Sequence, residues 1–131
     1  MAKIYPFRAY RYTEKAGDPA ALVTQPYDKI YPEMRARYLA ASPYNLVRII
    51  LGERFPDDKA ENNVYTRAAG HLREWTAAGI LEREASPSLY AYFQRFQDPD
   101  TGEELTRKGL ICAGRVEPYE AGIVHRHEQT L

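Results

Sequence analysis

Apolar residues recur at helical spacing in one long segment, residues 60–78. The apolar positions that share one stripe, three or four residues apart, are Val64, Ala68, Leu72 and Trp75. Gly79 follows the segment, and glycine ends helices well because it adopts the left-handed conformation without a steric penalty. The pattern predicts a long amphipathic helix that ends at Gly79, with Asn63 as a candidate N-cap.

A shorter helix is predicted over residues 33–41. Pro32 suits the first turn of a helix, and Glu33 lies near its positive end. Ser42 and Pro43 then end the helix. The following run, residues 44–51, is rich in Val, Ile and Leu and stops at Gly52, a pattern that indicates a buried strand.

The remaining apolar runs are typical of strands. Residues 4–12 alternate aromatic and basic side chains, which favours a strand or an extended arm. Residues 80–81 start another short strand. Residues 89–96 and 110–116 flank a Pro/Asp/Gly turn, the arrangement of an antiparallel hairpin. The predicted fold is α+β: one domain over residues 1–131, with a mixed or antiparallel sheet, a C-terminal hairpin, and one long and one short helix packed on it.

Charge and composition narrow the class of protein. Eighteen basic residues balance 18 acidic ones among 131, and a general nucleic-acid binder needs an excess of Lys and Arg. A single cysteine, Cys112, excludes an intramolecular disulfide and a Cys-rich zinc site. No apolar run approaches the roughly 20 residues that span a bilayer, and no signal peptide precedes the first strand. We therefore expect a soluble cytoplasmic protein that has no membrane partner and does not bind nucleic acid.

The loop over residues 24–29 carries the first candidate chemistry. Pro26 stiffens it, and an amide, a carboxylate and an amine follow one another at Gln25, Asp28 and Lys29. Asp28 could bind Mg²⁺ or accept a hydroxyl proton, and Lys29 could contact a phosphate. An Asx-type turn with a solvent-facing Lys29 is the structural alternative.

Arg48 is the second candidate functional residue, because it lies within the apolar run that ends at Leu51. A buried guanidinium is costly unless it is paired. Arg48 either forms an ion pair with Asp28 or Glu128, or binds an anion bidentately. The sequence leaves both alternatives open.

The polar cluster at residues 125–128 is the third candidate for a functional site. In an extended segment His125 and His127 face the same side, but two histidines are too few for a metal site, so we predict none. An Arg/His/Glu cluster directed at phosphate fits better, because phosphoryl transfer depends on positioned charges. Cys112 is expected to be an inert thiol.

Five stretches together resemble the bacterial and archaeal domain-of-unknown-function family 1015. In the family's order they are residues 5–9 (YPFRA), 23–30 (VTQPYDKI), 42–48 (SPYNLVR), 63–69 (NVYTRAA) and 127–131 (HEQTL). The last stretch departs from the family at Gln129, where a basic residue is usual. Family members are longer than this chain, so the resemblance predicts that the chain is the N-terminal lobe of a longer protein.

The resemblance also implies an activity. Longer members carry an Asp-Gly-His-His-Arg box similar to that of free-serine kinases in the ParB/sulfiredoxin-like superfamily, and this box is absent here. The implied reaction is phosphoryl transfer to a small hydroxylated metabolite such as L-serine, with Mg²⁺ and a nucleotide or pyrophosphate donor. A chain without the box is expected to supply part of the pocket and to be inactive alone.

Residue chemistry on these motifs suggests roles. The expected catalytic groups, which hold Mg²⁺, act as general base or contact phosphate, are Asp28, Glu128 and His127. The expected substrate or phosphate contacts are Arg8, Gln25, Tyr27, Lys29, Asn45 and Arg48. The underlying hypothesis is that folding brings Asp28, Arg48 and Glu128 together in one anion-holding recess.

A non-catalytic binding module is the alternative function. A long helix followed by a short strand and a hairpin is the order of a winged helix, although the acidic hairpin turn would repel DNA. A protein-interaction domain with a tyrosine-rich face is the other form of this alternative. Self-association through an exposed apolar face is instead expected of an isolated lobe, because part of its apolar surface would be uncovered.

Overall fold

The computed structural model describes residues 1–125, and the chain divides into two compact units. Residues 10–83 form one, here called the helical unit. Residues 1–9 together with residues from 84 onward form the other, here called the hairpin unit. The elements confirm the α+β class, with three helices and three two-stranded antiparallel sheets in the described part.

The helical unit contains all three helices: α1 (Pro32–Ala41), α2 (Val47–Ile50) and α3 (Val64–Ala77). The prediction of a short helix that Pro32 begins and Ser42 ends is confirmed. The helix α2, however, lies where a buried strand was predicted.

The strand prediction for residues 44–51 was wrong because polar side chains start a turn there. Ser42 Oγ accepts the Tyr44 N–H at 3.0 Å, and Asn45 Oδ1 accepts the Val47 N–H at 2.9 Å. These local hydrogen bonds direct the backbone into a helical turn. The Leu51 N–H then donates to the Val47 carbonyl, so the apolar run forms a short helix rather than a strand, with Val47 buried.

The helix α3 is fixed at both ends. Asn63 Oδ1 accepts the N–H groups of Tyr65 and Thr66, while Thr66 Oγ1 accepts the Asn63 N–H at 2.8 Å. This reciprocal cap starts the helix at Val64, four residues later than predicted. Gly79 follows the last turn with φ of 68°, as the predicted glycine terminus requires.

The core of the helical unit lies where α3 meets a short sheet. Strand β2 (Tyr10–Tyr12) pairs with β3 (Leu81–Arg83) in antiparallel register, which confirms the short strand after Gly79. Trp75 is buried against this sheet, and the other buried hydrophobic residues of the cluster are Ala16, Leu22, Ile80 and Leu81. The core is small, so the unit exposes many half-covered side chains.

The hairpin unit consists of two further sheets. Strand β1 (Ile4–Tyr5) pairs with β6 (Ala113–Gly114), and β4 (Tyr90–Gln97) pairs with β5 (Glu104–Ile111). The hairpin is confirmed, but β5 begins six residues before its predicted start. Both faces of the hairpin are largely exposed, so the polar residues that begin β5 do not interrupt the strand.

Among the described residues, no helix combines the length and the apolar character that crossing a membrane requires.

Candidate anion-binding site

Arg48 is a half-buried cation without a carboxylate partner. Its Nη2 donates to the Leu39 carbonyl at 3.0 Å, while its buried Nε has no hydrogen-bond acceptor. Among residues 1–125, no carboxylate lies within 4.0 Å of its guanidinium. The predicted alternative of an ion pair with Asp28 is therefore wrong for the described part of the chain.

A cleft of about 190 Å³ in the helical unit opens beside Arg48. Charged and polar walls come from Arg48, Glu53, Arg67 and His71, and the apolar lining comes from Leu39, Phe55 and Val64. Gly52 allows the close approach of α2 and α3 here, because a Cβ at this position would lie 3.0 Å from Val64 Cγ2. We call this space the Arg48 cleft.

Arg67 forms a fixed wall of the Arg48 cleft. Its Nη1 and Nη2 donate to the two carboxylate oxygens of Asp58 at 2.7 and 3.1 Å, and Nη2 also donates to the Glu53 carbonyl at 2.7 Å. The guanidinium also lies over the Phe55 ring, 4.7 Å from its centroid. The hydrogen bond from Arg67 is the main cause that lowers the pKa of Asp58. Arg67 is thus neutralised by a structural partner.

Arg35 reaches the same region from α1. Its Nη2 lies 3.7 Å from Glu53 Oε2, too far for a good hydrogen bond, and both Nε and Nη2 are buried without an acceptor. Burying an unsatisfied donor costs about 1–3 kcal/mol. Arg35 Nε, Arg35 Nη2 and Arg48 Nε are thus three buried donors without an acceptor in the described structure, which indicates that a ligand could supply one.

Two of the three guanidiniums near the cleft lie beside a carboxylate: Arg67 is bound to Asp58, and Arg35 lies near Glu53. Within residues 1–125, Arg48 has no carboxylate within 4.0 Å, so a surplus of positive charge remains there. An anion with several oxygens, such as a phosphate or a carboxylate, is the chemistry that this surplus favours.

His71 joins the Arg48 cleft to a neighbouring aromatic cleft. The aromatic cleft, about 450 Å³, is lined by Arg48, His71, Glu74, Tyr44 and Trp75 with Pro43 and Ala78. The His71 ring lies 5.9 Å from that of Trp75, and its Nδ1 is 3.9 Å from Glu74 Oε2. An anion held by Arg48 would therefore have a titratable imidazole beside it.

The predicted loop around Asp28 is ordered but lies apart from these clefts. Residues Tyr27–Lys29 form a 3-10 turn, in which the Lys29 N–H donates to the Pro26 carbonyl, and the Gln25 N–H donates to the Tyr38 hydroxyl. A fixed loop was predicted and is confirmed, although no strand precedes it in the described structure. The side chains of Gln25, Tyr27, Asp28 and Lys29 are exposed and do not line either Arg48-containing cleft among the described residues.

Asn45 is fully buried and its amide is used inside the unit. Nδ2 donates to the carbonyls of Ala21 and Val23 at 2.7 and 3.4 Å, and Oδ1 accepts from Val47. Its side chain ties the segment around Leu22 to the start of α2. These contacts place Arg48 but leave the Asn45 amide little capacity for a substrate.

The remaining predicted site residues are Arg8, His127 and Glu128. Arg8 belongs to the hairpin unit, where its Nε donates to the Glu84 carbonyl. His127 and Glu128 lie outside the described residues. Within residues 1–125, Asp28 does not join Arg48 in either cleft, so only the convergence of Arg48 with Glu128 stays a prediction.

Most of the charged residues at the Arg48 cleft were not predicted from the sequence. Arg67 was part of a family-like stretch without an assigned role, and Arg35, Glu53 and Asp58 were not predicted as site residues. Arg67 and the acidic pair at residues 57–58 flank the N-cap of α3, and that spacing was the available signal. His71 was not predicted as a site residue, because its position beside Arg48 depends on how α2 packs against α3.

The fold and the cleft define an α+β protein with a cleft lined by Arg48 and Arg67. The chain belongs to the family described as "Protein of unknown function (DUF1015)", whose profile matches residues 4–131. This confirms the resemblance. Comparison with curated proteins and with solved structures finds no match.

Proposed function

We propose that this chain supplies the anion-binding lobe of a small-metabolite phosphotransferase, with phosphate oxygens bound at Arg48. The observation that carries the proposal is the Arg48 guanidinium, half-buried in a cleft with an unsatisfied Nε and no carboxylate partner in residues 1–125. Phosphoryl transfer depends mainly on positioned charges that stabilise the transferring group. A buried arginine held in place by a backbone carbonyl meets that need.

The acceptor is proposed to be a small hydroxylated metabolite such as L-serine, and the donor a nucleotide or pyrophosphate. The support is the family resemblance together with the size of the two connected clefts, which suit a small ligand. Asp28, His127 and Glu128 keep their proposed roles as metal-holding, phosphate-binding or proton-accepting groups. In this proposal the complete reaction needs more of the protein than this lobe.

Mg²⁺ would arrive with the donor. Among residues 1–125, no group of three or more His, Cys, Asp or Glu side chains could hold a metal ion. Mg²⁺ in phosphoryl-transfer sites needs only one or two protein carboxylates, because the phosphates and water supply the other oxygens. Glu128 is the proposed protein ligand, because the Asp28 carboxylate lines neither Arg48-containing cleft within residues 1–125.

Isothermal calorimetry tests the anion site directly. Inorganic phosphate, pyrophosphate, ADP, ATP and L-serine are titrated separately into the chain, the nucleotides with and without Mg²⁺. We expect binding of at least one phosphate-bearing ligand. Arg48→Met should weaken it by about 1.5–3 kcal/mol, or roughly 10- to 150-fold, as expected for one charge-assisted contact.

Arg73→Gln is the matched control, because it removes one positive charge from an exposed position on α3 in the same unit. It should leave the affinity within about twofold, since exposed charges act weakly at physiological salt. An equal loss of affinity in both variants would mean that only the net charge of the chain matters, and would contradict a site at Arg48. No heat with any ligand would reject the anion site.

A non-catalytic interaction domain is the second candidate, favoured by the exposed apolar side chains of the β4–β5 hairpin. Phe93 is 63% exposed and Leu110 is 55% exposed. DNA is a poor partner for this hairpin, because Asp98 in its turn accepts the N–H groups of Asp100 and Thr101, which lower the pKa of its carboxyl and keep it charged. A gel shift on random duplex at low salt should show no complex.

A further inference from the structure

The hairpin unit has no buried core of its own among its described residues. All eight buried residues of the described structure belong to the helical unit. The β4–β5 pair has two strands and no third. A two-stranded sheet is marginally stable alone, and three or more strands are needed for independent stability. The hairpin therefore requires a partner.

The edge of β4 opposite β5 is open. The Asp98 N–H donates to the Glu103 carbonyl at 2.8 Å, and this pair continues the register that joins Tyr90 to Ile111. Because hydrogen-bonded pairs alternate along an antiparallel ladder, even-numbered residues of β4 turn their backbone groups toward β5. The odd-numbered residues turn theirs outward, where no strand of residues 1–125 pairs with them.

The sequence of β4 favours pairing of its exposed edge with another strand. Its eight residues, YAYFQRFQ, contain no proline or glycine and one charge, at Arg95. Exposed edges of this kind template pairing with another strand, and natural proteins usually block them with charges, proline or a bulge. The open edge of β5 presents more charge, at Glu104, Arg107 and Lys108.

We propose that a second copy of this chain covers the β4 edge, so that two hairpins form a four-stranded antiparallel sheet with a twofold axis at Gln94. In this register Phe93 faces Arg95 of the other copy, a cation–π pair that occurs twice by symmetry. Tyr92 faces Phe96 on the opposite face, also twice. No like charges oppose each other, and the outward backbone groups of β4 pair.

Pairing of two copies through their β5 edges is less favourable. Full overlap of β5 with its own copy would centre between Arg107 and Lys108, and the two hydrogen-bonding registers nearest to it place the axis at Arg107 or at Lys108, so that two like charges face each other. Like charges directly opposite destabilise a strand pair. Charge complementarity thus selects β4 as the edge and the same chain as its occupant. This interface lies in the hairpin unit and is independent of the anion site.

Light scattering after size exclusion, across a concentration series, tests the dimer. The wild-type chain should be dimeric at micromolar concentration. The double variant Phe93→Glu/Arg95→Glu places like charges opposite each other twice in the dimer, whereas within its own hairpin position 93 faces Lys108 and position 95 faces Thr106, so the hairpin itself gains no like-charge pair. It should raise the dimer dissociation constant by about tenfold or more. The single variant Phe93→Glu faces Arg95 with the opposite charge and should remain dimeric. Leu110→Lys, at a similarly exposed position on β5, is the matched control and should remain dimeric.

Backbone hydrogen exchange on the wild-type chain gives an answer that does not depend on any variant folding. The amides of Phe93 and Arg95 should become protected as concentration rises, while those of β5 stay unchanged. A monomer at every concentration would overturn the proposal. So would a dimer that Leu110→Lys disrupts as much as Phe93→Glu/Arg95→Glu does, or protection confined to β5.

Discussion

The Asp58 carboxylate and the Arg67 guanidinium form a two-point ion pair, with oxygen–nitrogen distances of 2.7 and 3.1 Å. The pair joins the loop after α2 to the first turns of α3. Asn62 Oδ1 accepts from the same guanidinium at 3.2 Å, so Arg67 has little freedom to move. This pair fixes one wall of the Arg48 cleft, and Arg48 has no ion-pair partner within residues 1–125.

The pair makes stability depend on pH in the acid range. The pKa of Asp58 is lowered in the folded chain, chiefly by the hydrogen bond from Arg67, from an ordinary value of 3.8. Its stabilisation is therefore complete above that value and is lost as the pH falls toward the lower folded-state pKa. Asp58→Asn should destabilise the chain at neutral pH, and the difference from wild type should shrink below about pH 4.

Denaturant unfolding at several pH values measures this difference. Asp57→Asn is the control, because the neighbouring exposed aspartate makes no hydrogen bond to Arg67 in the described structure and should change stability little at any pH. A difference for Asp58→Asn that stays constant as the pH falls to about 2 would contradict the role assigned to the pair.

Asn45 should be the most damaging polar substitution in the helical unit. Its amide is fully buried and satisfies the Ala21 carbonyl and the Val47 N–H. Asn45→Ala leaves these groups without partners, so we expect a loss of about 2–4 kcal/mol in the free energy of unfolding. Urea denaturation measures the loss. Gln25→Ala, on the exposed loop, should change the same free energy by less than about 0.5 kcal/mol.

Arg48 should contribute little to stability if its role is to bind an anion. Arg48→Met removes one hydrogen bond to the Leu39 carbonyl but also relieves an unpaired, half-buried charge. The two effects oppose each other, so the free energy of unfolding should change by less than about 1 kcal/mol. Arg67→Met should cost clearly more, since it breaks the ion pair. Equal losses would identify Arg48 as a structural residue.

The Asn63 cap should account for the start of α3. Asn63→Ala removes the side-chain acceptor for the Tyr65 and Thr66 N–H groups and should cost about 1 kcal/mol. Asn63→Ser keeps an acceptor oxygen for these N–H groups and loses the same Nδ2 donor to the Lys59 and Ala60 carbonyls as the alanine variant does, so its cost should be smaller. Thermal unfolding followed by far-ultraviolet circular dichroism compares the two variants. A larger cost for the serine variant would contradict this assignment.

The sequence correctly predicted the helices that have a capping or helix-breaking residue at their ends. Pro32 and Ser42 delimit α1, and Gly79 follows α3, because each acts through backbone groups within a few residues. The strand predicted over residues 44–51 failed for a related reason. An apolar run indicates burial without deciding between helix and strand, and here the side chains of Ser42 and Asn45 made the choice.

The sequence by itself determined the α+β class, the hairpin, the caps of α3 and the unusual position of Arg48 within an apolar run. Only the tertiary structure decided which charges meet. It placed Glu53, Arg67 and His71 around Arg48 and left the Asp28 side chain exposed outside both clefts. Caps and turns act between near neighbours in the chain, whereas ion pairing depends on the packing of α1, α2 and α3, which no local spacing specifies.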